Sequence, residues 1–300
     1  MHQQRPGNVD ASKVSVIVPH YDDLQGLDIC LSALAKQSLP KAEFEIIVAD
    51  NNSPQGLEGV ARVVAGRARL ISIVEKGAGP ARNGGAAAAA GEILAFLDSD
   101  CVPEPQWLAE GLAALAGYDV VGGSVAVLVH DPGKLTPAEA FECIFAFDIE
   151  QYLERKGFVG SGNLFCRRDV FDRVGGFATG VSEDVDWCHR ASAKGFHIGF
   201  ARKAAVGHPA RRSWTDLKRK WARINSQTYM LKLKKRSGKL AWVFNCLLLP
   251  ISAFVHTPRV LMSDKLSGRQ KFAALVILYR IRLWRSWDYC RLLMLGPSLA

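Results

Sequence analysis

The chain has 300 residues, of which 49% are hydrophobic and 22% are charged, a composition that supports a buried core and excludes a disordered protein. Its seven cysteines are scattered, odd in number and contain no Cys-x-x-Cys pair, which argues against a disulfide framework and a zinc ribbon. The formal net charge of +9 is uneven, because residues 202–300 carry 21 Lys and Arg against 3 acidic residues and residues 1–201 carry a net charge of −9.

The first hundred residues show a regular alternation of short apolar runs and helical patterns. Residues 1–13 are polar and lack the apolar core of a secretory signal, so we expect the catalytic part to stay in the cytoplasm. Four strands alternate with helices and are expected at 14–18, 45–49, 70–74 and 93–97. This order predicts an α/β sheet with helices on both faces, and ligands on such sheets bind beyond the carboxyl ends of the strands.

Acidic residues recur where these strands end. Pro19, His20, Tyr21 and Asp22 follow the first strand, where a dinucleotide-binding oxidoreductase would carry Gly-x-Gly-x-x-Gly, so that class is disfavoured. Asp98 and Asp100 come directly after the fourth strand, and the alternation of a strand aims both carboxylates to one side. Such a pair suits Mg²⁺ or Mn²⁺ with a diphosphate in the remaining positions, although an isolated Asp-x-Asp is also typical of a solvated turn.

The second half of the chain has a weaker alternation and a basic end. A strand is expected at 120–129, a helical stretch at 137–156 and a glycine-rich turn at 160–163, and an acidic cluster opens a helix near residue 183. An apolar stretch at 240–255 contains Pro250 and is short for a spanning helix, which needs about 20 residues.

A second apolar pattern follows near the C-terminus. One helical face carries apolar side chains flanked by arginines, the composition of a helix lying in a membrane interface. The alternative is a core helix packed on the catalytic domain. No nucleic-acid-binding motif accompanies the basic residues, so no nucleic-acid partner is expected. The residues of this face are Phe272, Leu275, Val276, Tyr279, Leu283 and Trp287, and the arginines are Arg280, Arg282, Arg285 and Arg291.

Six motifs in sequence, between about Val14 and His208, resemble the family-2 inverting glycosyltransferases of the GT-A fold, of the bacterial surface-polysaccharide type. The resemblance implies an α/β, Rossmann-like mixed sheet flanked by helices, here followed by a C-terminal basic amphipathic helical extension. The motifs are Val16-Ile17-Val18-Pro19-His20-Tyr21, Val48-Ala49-Asp50-Asn51-Asn52-Ser53, Gly79-Pro80-Ala81-Arg82-Asn83-Gly84-Gly85, Asp98-Ser99-Asp100, Gly175-Gly176-Phe177 and Ser182-Glu183-Asp184-Val185-Asp186-Trp187.

The resemblance assigns a nucleotide-sugar donor to the strand ends. Asp50 would contact the base of the donor, with Pro19 and Tyr21 shaping the same pocket. Asp50 could instead be a strand-end cap and Tyr21 a packing residue. Asn51 stands where the family commonly has a second aspartate, which leaves the role of that position open.

The resemblance also assigns a divalent cation, Mn²⁺ or Mg²⁺. Asp100 with Asp98 would hold the metal and the ribose or diphosphate of the donor, and Arg82 would lie near the phosphates or fix the acidic pair. His208 would close the metal site. The alternatives are that Arg82 is a structural partner of Asp98 and that His208 is a structural histidine.

On the acceptor side, the resemblance makes Asp184 the general base. Glu183, Trp187, Gly162 and Asn163 would lie near the acceptor, with Trp187 alternatively part of the core. Acidic residues are also favoured at a helix N-terminus by the helix dipole, which would help keep Asp184 ionised.

These inferences predict a polar tail at 1–13, a GT-A catalytic domain at 14–210 and a basic, membrane-associating helical extension at 211–300. The predicted reaction is inverting transfer of one sugar from a nucleotide-diphosphate sugar, a UDP-sugar, to a hydroxyl of a lipid-linked or polysaccharide acceptor. The protein is expected on the anionic inner face of the plasma membrane as a peripheral protein. The alternatives are another metal-dependent nucleotide-sugar enzyme, such as a nucleotidyltransferase or donor hydrolase, or an inactive membrane- or nucleic-acid-binding protein.

Overall fold

The computed structural model describes residues 14–233 and 238–296. The predicted tail at 1–13 and the basic residues Lys234, Lys235 and Arg236 lie outside the described residues. The strands are β1 Val14–His20, β2 Phe44–Asp50, β3 Arg69–Ser72, β4 Ile93–Leu97, β5 Val102–Pro103, β6 Val120–Leu128, β7 Asn163–Arg167 and β8 Ile198–Pro209. The helices are α1 Leu24–Leu34, α2 Gly56–Val64, α3 Ala78–Ala88, α4 Trp107–Ala114, α5 Pro137–Phe145, α6 Ile149–Lys156, α7 Arg168–Val174, α8 Glu183–Ala193, α9 Trp214–Leu233, α10 Gly238–Leu261 and α11 Gly268–Leu295.

The eight strands form one mixed sheet in the order β3-β2-β1-β4-β7-β6-β8-β5. Strand β1 pairs in parallel with β2 and β4, and β2 pairs in parallel with β3. Strand β7 is antiparallel to both β4 and β6. The carboxyl ends of β1, β2 and β4 therefore meet at one edge, and the predicted mixed α/β sheet is confirmed.

Strand β1 lies inside the hydrophobic core, because each of its seven residues is buried. Alternation sends Val16 and Val18 into one apolar cluster, with Leu31 of α1, and sends Ile17 into another, with Phe96 of β4. Both faces of the strand are thus covered by apolar side chains. Each such side chain contributes roughly 1.5–3 kcal/mol when fully buried, and this burial fixes the register of the sheet.

The chain divides into two compact units. The first takes in residues up to Ala126, Ile149–Thr179 and Glu183–His208, and the second takes in Val127–Asp148, Gly180–Ser182 and the residues from Pro209 onward. The second unit contains α5, α9, α10 and α11. Its core includes Leu217 of α9 and Leu278 of α11, and the rings of Trp242 and Tyr289 stack with centroids 3.8 Å apart. The predicted domain boundary at residue 210 stays a prediction.

Helix α10 is longer than the sequence indicated. It runs unbroken for 24 residues with Pro250 and Pro258 inside it. A proline removes one backbone donor, so Pro250 cannot bond the carbonyl of Cys246 four residues earlier. The hydroxyl of Ser286 on α11 donates to that carbonyl at 2.8 Å instead. The prediction of a short apolar segment at 240–255 was wrong. The helix continues through Pro250 because Ser286 of the neighbouring helix satisfies the carbonyl of Cys246. By length and composition, α10 alone among the helices of the described ranges could cross a membrane.

One further expectation needs correction. The helical stretch at 137–156 is two helices, α5 and α6, separated by a turn in which Phe147 adopts a positive φ of 57°. Of the arginines that flank the apolar face of α11, Arg285 is buried. Of that face, four side chains are exposed: Phe272, Val276, Leu283 and Trp287.

Candidate active site

The ends of β1 and β2 hold a buried polar network around Asp50. The parallel register places His20 beside Asp50, and His20 Nδ1 lies 2.9 Å from Asp50 Oδ1. Ser53 donates to the same carboxylate from its hydroxyl at 2.5 Å and from its backbone N–H at 3.2 Å. These contacts fix the Asp50 carboxylate at the edge of the sheet. Nearby in sequence, Pro19 is buried and Tyr21 is 59% exposed.

Asn51 has a structural task at the same edge. Its amide nitrogen donates to the carbonyls of Ile73 and Glu75 at 3.2 and 2.6 Å, and its oxygen accepts from Gly77 N–H at 2.7 Å. An aspartate could not make the two donor contacts because an ionised carboxylate only accepts. Asn51 therefore ties the end of β2 to the segment after β3, which accounts for an amide at this position.

Arg82 of α3 links two acidic segments of the first unit. It is 3% exposed, and its guanidinium contacts Asp98 Oδ1 at 2.5 Å and Glu183 Oε1 at 3.2 Å. Burial alone would lower the pKa of Arg82, but the Asp98 and Glu183 carboxylates raise it above its ordinary value. The permanent cation thus holds the end of β4 against the start of α8. The structure brings together three of the predicted site residues here.

The segment before β7 packs tightly against Asp98. The backbone N–H of Asp98 donates to Gly162 O at 3.2 Å, and a Cβ added at Gly162 would collide with the Asp98 carboxylate. Next to it, Asn163 is buried, accepts from Trp107 Nε1 at 2.8 Å and donates to the carbonyls of Ser124 and Ala204. Gly162 therefore permits the close approach of the acidic loop, and the side chain of Asn163 ties strands together. Their predicted contact with an acceptor stays a prediction.

Asp100 and His208 meet although they are 108 positions apart in the sequence. Asp100 Oδ2 lies 3.2 Å from His208 Nε2, and about a third of the Asp100 side chain is exposed. A carboxylate oxygen and an imidazole nitrogen are both ligands that Mn²⁺ accepts. Within residues 14–233 and 238–296, no group of three or more His, Cys, Asp or Glu side chains has metal-holding geometry. The pair fits a cation that takes its remaining ligands from a bound diphosphate.

Asp184 sits in the first turn of α8, beside Glu183. Burial and the neighbouring Glu183 carboxylate raise the pKa of Asp184 to about 6, against the lowering effects of the Val185 backbone N–H and Arg82. The helix N-terminus was expected to keep this group ionised; the backbone N–H groups of Val185 and Asp184 lower the pKa of Asp184, but by less than burial raises it. At neutral pH the carboxylate is still the main form, and it is a stronger base than an ordinary aspartate.

Trp187, one turn further along α8, is fully buried. Its indole nitrogen donates to Gly175 O at 2.8 Å, and its ring packs against Phe171 and Phe177. Of the two interpretations left open for this residue, these contacts favour the core. Contact with an acceptor stays a prediction.

The motifs that line this edge agree with a family model. Residues 15–178, more than half of the chain, match the model of glycosyl transferase family 2. The chain belongs to glycosyl transferase family 2. The matched residues include Asp50, Arg82, Asp98, Asp100 and Gly162, while Asp184 and His208 follow the matched range.

Curated relatives support the same assignment for this family-2 glycosyltransferase. Glycosyltransferase AglE of Haloferax volcanii is 31% identical over 281 residues, which cover 90% of this chain and 91% of that protein. Poly(ribitol-phosphate) beta-N-acetylglucosaminyltransferase TarS of Staphylococcus aureus is 37% identical over 92 residues, which cover 29% of this chain and 16% of that protein. The first relative is similar along nearly its whole length, and the second over less than a third of this chain.

A solved structure confirms the fold of this family-2 enzyme. The mannosyltransferase PcManGT from Pyrobaculum calidifontis, in complex with GDP-Man and Mn²⁺, superposes with a TM-score of 0.53 at 17% identity, covering 99% of this chain and 80% of that one. This structure confirms the predicted GT-A fold, and the family model with AglE confirms the predicted family. The pairing of His20 with Asp50 is not evident from the sequence, because it depends on the parallel register of β1 and β2.

Proposed function

We propose that this family-2 glycosyltransferase moves one sugar from a nucleotide-diphosphate sugar, a UDP-sugar, to a hydroxyl of a membrane-presented, lipid-linked saccharide with inversion at the anomeric carbon. In this proposal Asp184 is the general base. Asp50, with Pro19 and Tyr21, contacts the base of the donor, and Asp98 and Asp100 lie at its ribose and diphosphate. Glu183 and Gly162 border the acceptor, and the buried Trp187 and Asn163 support this side of the site from the core.

One observation carries the proposal: Arg82 joins Asp98 at the end of β4 to Glu183, the neighbour of Asp184. A donor bound beyond the strand ends would have its diphosphate near Asp98 and its anomeric carbon toward α8. The raised pKa of Asp184, about 6, suits a group that accepts a proton near neutral pH. Direct attack by an acceptor hydroxyl activated in this way inverts the anomeric centre.

A divalent cation is part of the proposal. GT-A enzymes commonly use one, and the fold neighbour from Pyrobaculum calidifontis is in complex with Mn²⁺. Asp100 and His208 would hold the ion here. When bound, a cation stabilises the negative charge that develops on the leaving diphosphate. Arg82 keeps Asp98 oriented, and Asp184 takes the proton of the acceptor.

The membrane part of the proposal rests on α10. Its buried side chains form one stripe, which includes Trp242, Cys246 and Ala253. Apolar side chains of the opposite stripe are exposed, among them Leu247 at 67% and Ile251 at 57%. An exposed apolar face of this length, with basic residues in the same unit, is typical of a helix that contacts lipid. We therefore place the enzyme at the cytoplasmic face of an anionic membrane as a peripheral protein.

The experiment that tests the proposal is incubation of the enzyme with radiolabelled nucleotide sugars, Mn²⁺ and a membrane lipid extract. Transfer gives a labelled lipid-linked product, whereas a donor hydrolase gives only free labelled sugar and a nucleotidyltransferase gives neither. Asp100→Ala should lose the Mn²⁺-dependent rise in melting temperature produced by UDP. An unchanged rise in that variant would show that Asp100 does not hold the cation, and no rise in the wild type would favour a protein that binds through its basic helices alone.

Lipid binding is tested with Leu247→Asp combined with Ile251→Asp. Each buried apolar side chain contributes roughly 1.5–3 kcal/mol, so the double variant should bind anionic vesicles at least tenfold more weakly in co-sedimentation. Val74→Asp with Leu57→Asp is the matched control, because both residues are exposed apolar side chains of the first unit. Equal loss of binding in the control pair would show that net charge, and not the face of α10, sets vesicle binding.

A further inference from the structure

The second unit buries a guanidinium group between α9 and α11. Arg285 is 8% exposed, and its Cζ lies 4.0 Å from the centre of the Trp221 ring. Arg285 Nε donates to Asn225 Oδ1 at 3.0 Å, and Nη2 donates to Tyr289 OH at 3.2 Å. Both of these hydrogen-bond partners are neutral groups, and the carboxylate of Asp288 acts on Arg285 through its charge.

One carboxylate of this cluster, that of Asp288, accepts hydrogen bonds from two residues. Asp288 is buried, and it accepts from Asn225 Nδ2 at 2.9 Å and from Arg291 Nε at 2.8 Å. Arg282 lies one helical turn before Arg285 on the same side of α11. Of the three guanidinium groups, those of Arg285 and Arg291 lie near this carboxylate and that of Arg282 lies near Arg285. The cluster has an excess of positive charge, and the Arg285 group is removed from bulk water, an arrangement that a bound anion would stabilise.

Two buried donors of the cluster have no acceptor. Among the described residues, no hydrogen-bond partner lies near Trp221 Nε1 or Arg282 Nε, although both atoms are buried. Buried polar atoms are hydrogen-bonded in the great majority of cases, so an orphan pair needs an explanation. Burial and the neighbouring Arg285 lower the pKa of Arg282 to about 10, and no carboxylate acts against them.

We propose that Trp221, Arg282 and Arg285 bind a phosphate group, either a phosphate monoester or a diphosphate. Such a group carries more than one negative charge and several acceptor oxygens, which matches two guanidinium groups and an indole N–H better than a single carboxylate does. The residues of this site belong to the second unit, and those of the candidate active site belong to the first. A phosphate on a lipid-linked acceptor and a soluble phosphate share this chemistry. The assignment of the phosphate to a lipid-linked acceptor rests on the proposed function, whereas the phosphate site itself does not.

The test is calorimetric titration of the full chain with inorganic pyrophosphate in EDTA, which removes any contribution from a metal-dependent donor site. The wild type should bind, Arg282→Gln should bind at least tenfold more weakly, and Trp221→Phe should bind severalfold more weakly. Arg269→Gln is the matched control, because Arg269 is an exposed arginine of α11 and its loss changes the net charge equally. Melting curves establish that each variant is folded.

Vesicles separate the two sources of phosphate. If the ligand is lipid-borne, the wild type prefers vesicles with a phosphomonoester lipid over vesicles of equal charge with a phosphodiester lipid, and Arg282→Gln loses that preference. Binding of pyrophosphate without the preference assigns a soluble ligand. The proposal is overturned if the wild type binds neither probe, or if Arg269→Gln weakens binding as much as Arg282→Gln. If the wild type bound pyrophosphate but transferred no sugar, that result would count against the proposed function and not against the phosphate site.

Discussion

Asp184→Asn is expected to lower the turnover number for sugar transfer by about 10²–10⁴-fold, the usual contribution of a general base. An amide cannot accept the proton of the acceptor hydroxyl, yet it nearly preserves the volume of the carboxyl group. Binding of the donor should change little, since Asp184 is assigned to the acceptor. Steady-state rates with labelled donor measure the first effect, and a UDP-dependent thermal shift measures the second.

The ionisation of Asp184 should also determine how the turnover number falls at low pH. Because burial and Glu183 raise the pKa of Asp184 to about 6, turnover should fall about tenfold per pH unit below that value. The raised pKa also means that ionisation of Asp184 opposes folding, so its cost to stability grows as the pH rises from about 4 to 6. Asp184→Asn removes that cost, and its free energy of unfolding at pH 8 should be higher by about 1–3 kcal/mol.

Asp186→Asn is the matched control for both effects. Asp186 lies on the same helix, and its carboxylate accepts from Arg190 Nε at 2.8 Å. The substitution removes the same charge two residues away, and turnover should stay within a few-fold of the wild type. Asp184 would not be the base if Asp184→Asn kept half of the wild-type turnover at pH 8.

Arg82→Met is the second substitution with a large expected effect. It leaves Asp98 and Glu183 without their shared cation, and removal of one partner from a buried ion pair costs about 3–5 kcal/mol. Turnover should also fall, because Asp98 loses its orientation. Arg82 lowers the pKa of Asp184, so the midpoint of the remaining activity should move to higher pH. Urea denaturation and a pH–rate profile measure these changes.

Arg202→Met provides the comparison with a surface ion pair. Arg202 contacts Glu150 Oε2 at 2.6 Å, and both side chains are largely exposed. Exposed pairs contribute about 0–1 kcal/mol, so this variant should unfold within about 1 kcal/mol of the wild type and keep its turnover. If Arg82→Met lost no more stability than Arg202→Met, then Arg82 would not hold the two acidic segments together.

The sequence located most strands correctly because apolar alternation is a local signal. It missed the continuity of α10, since the hydroxyl that satisfies the freed carbonyl belongs to Ser286, 36 residues after Pro250. It also could not show that Arg285 is buried, because its position beside an apolar face does not reveal which side of α11 meets α9. In both cases the deciding partner lies on another helix.

For this family-2 glycosyltransferase, the sequence by itself determined the family, the strand order along the chain and the acidic residues that end the strands. These follow from local patterns and from motifs that occur in a fixed order. The tertiary structure decided that Arg82 serves both Asp98 and Glu183, that Asp100 meets His208 and that Asp184 has a raised pKa. Ion pairing and desolvation depend on which distant segments pack together, and no spacing along the chain encodes those distances.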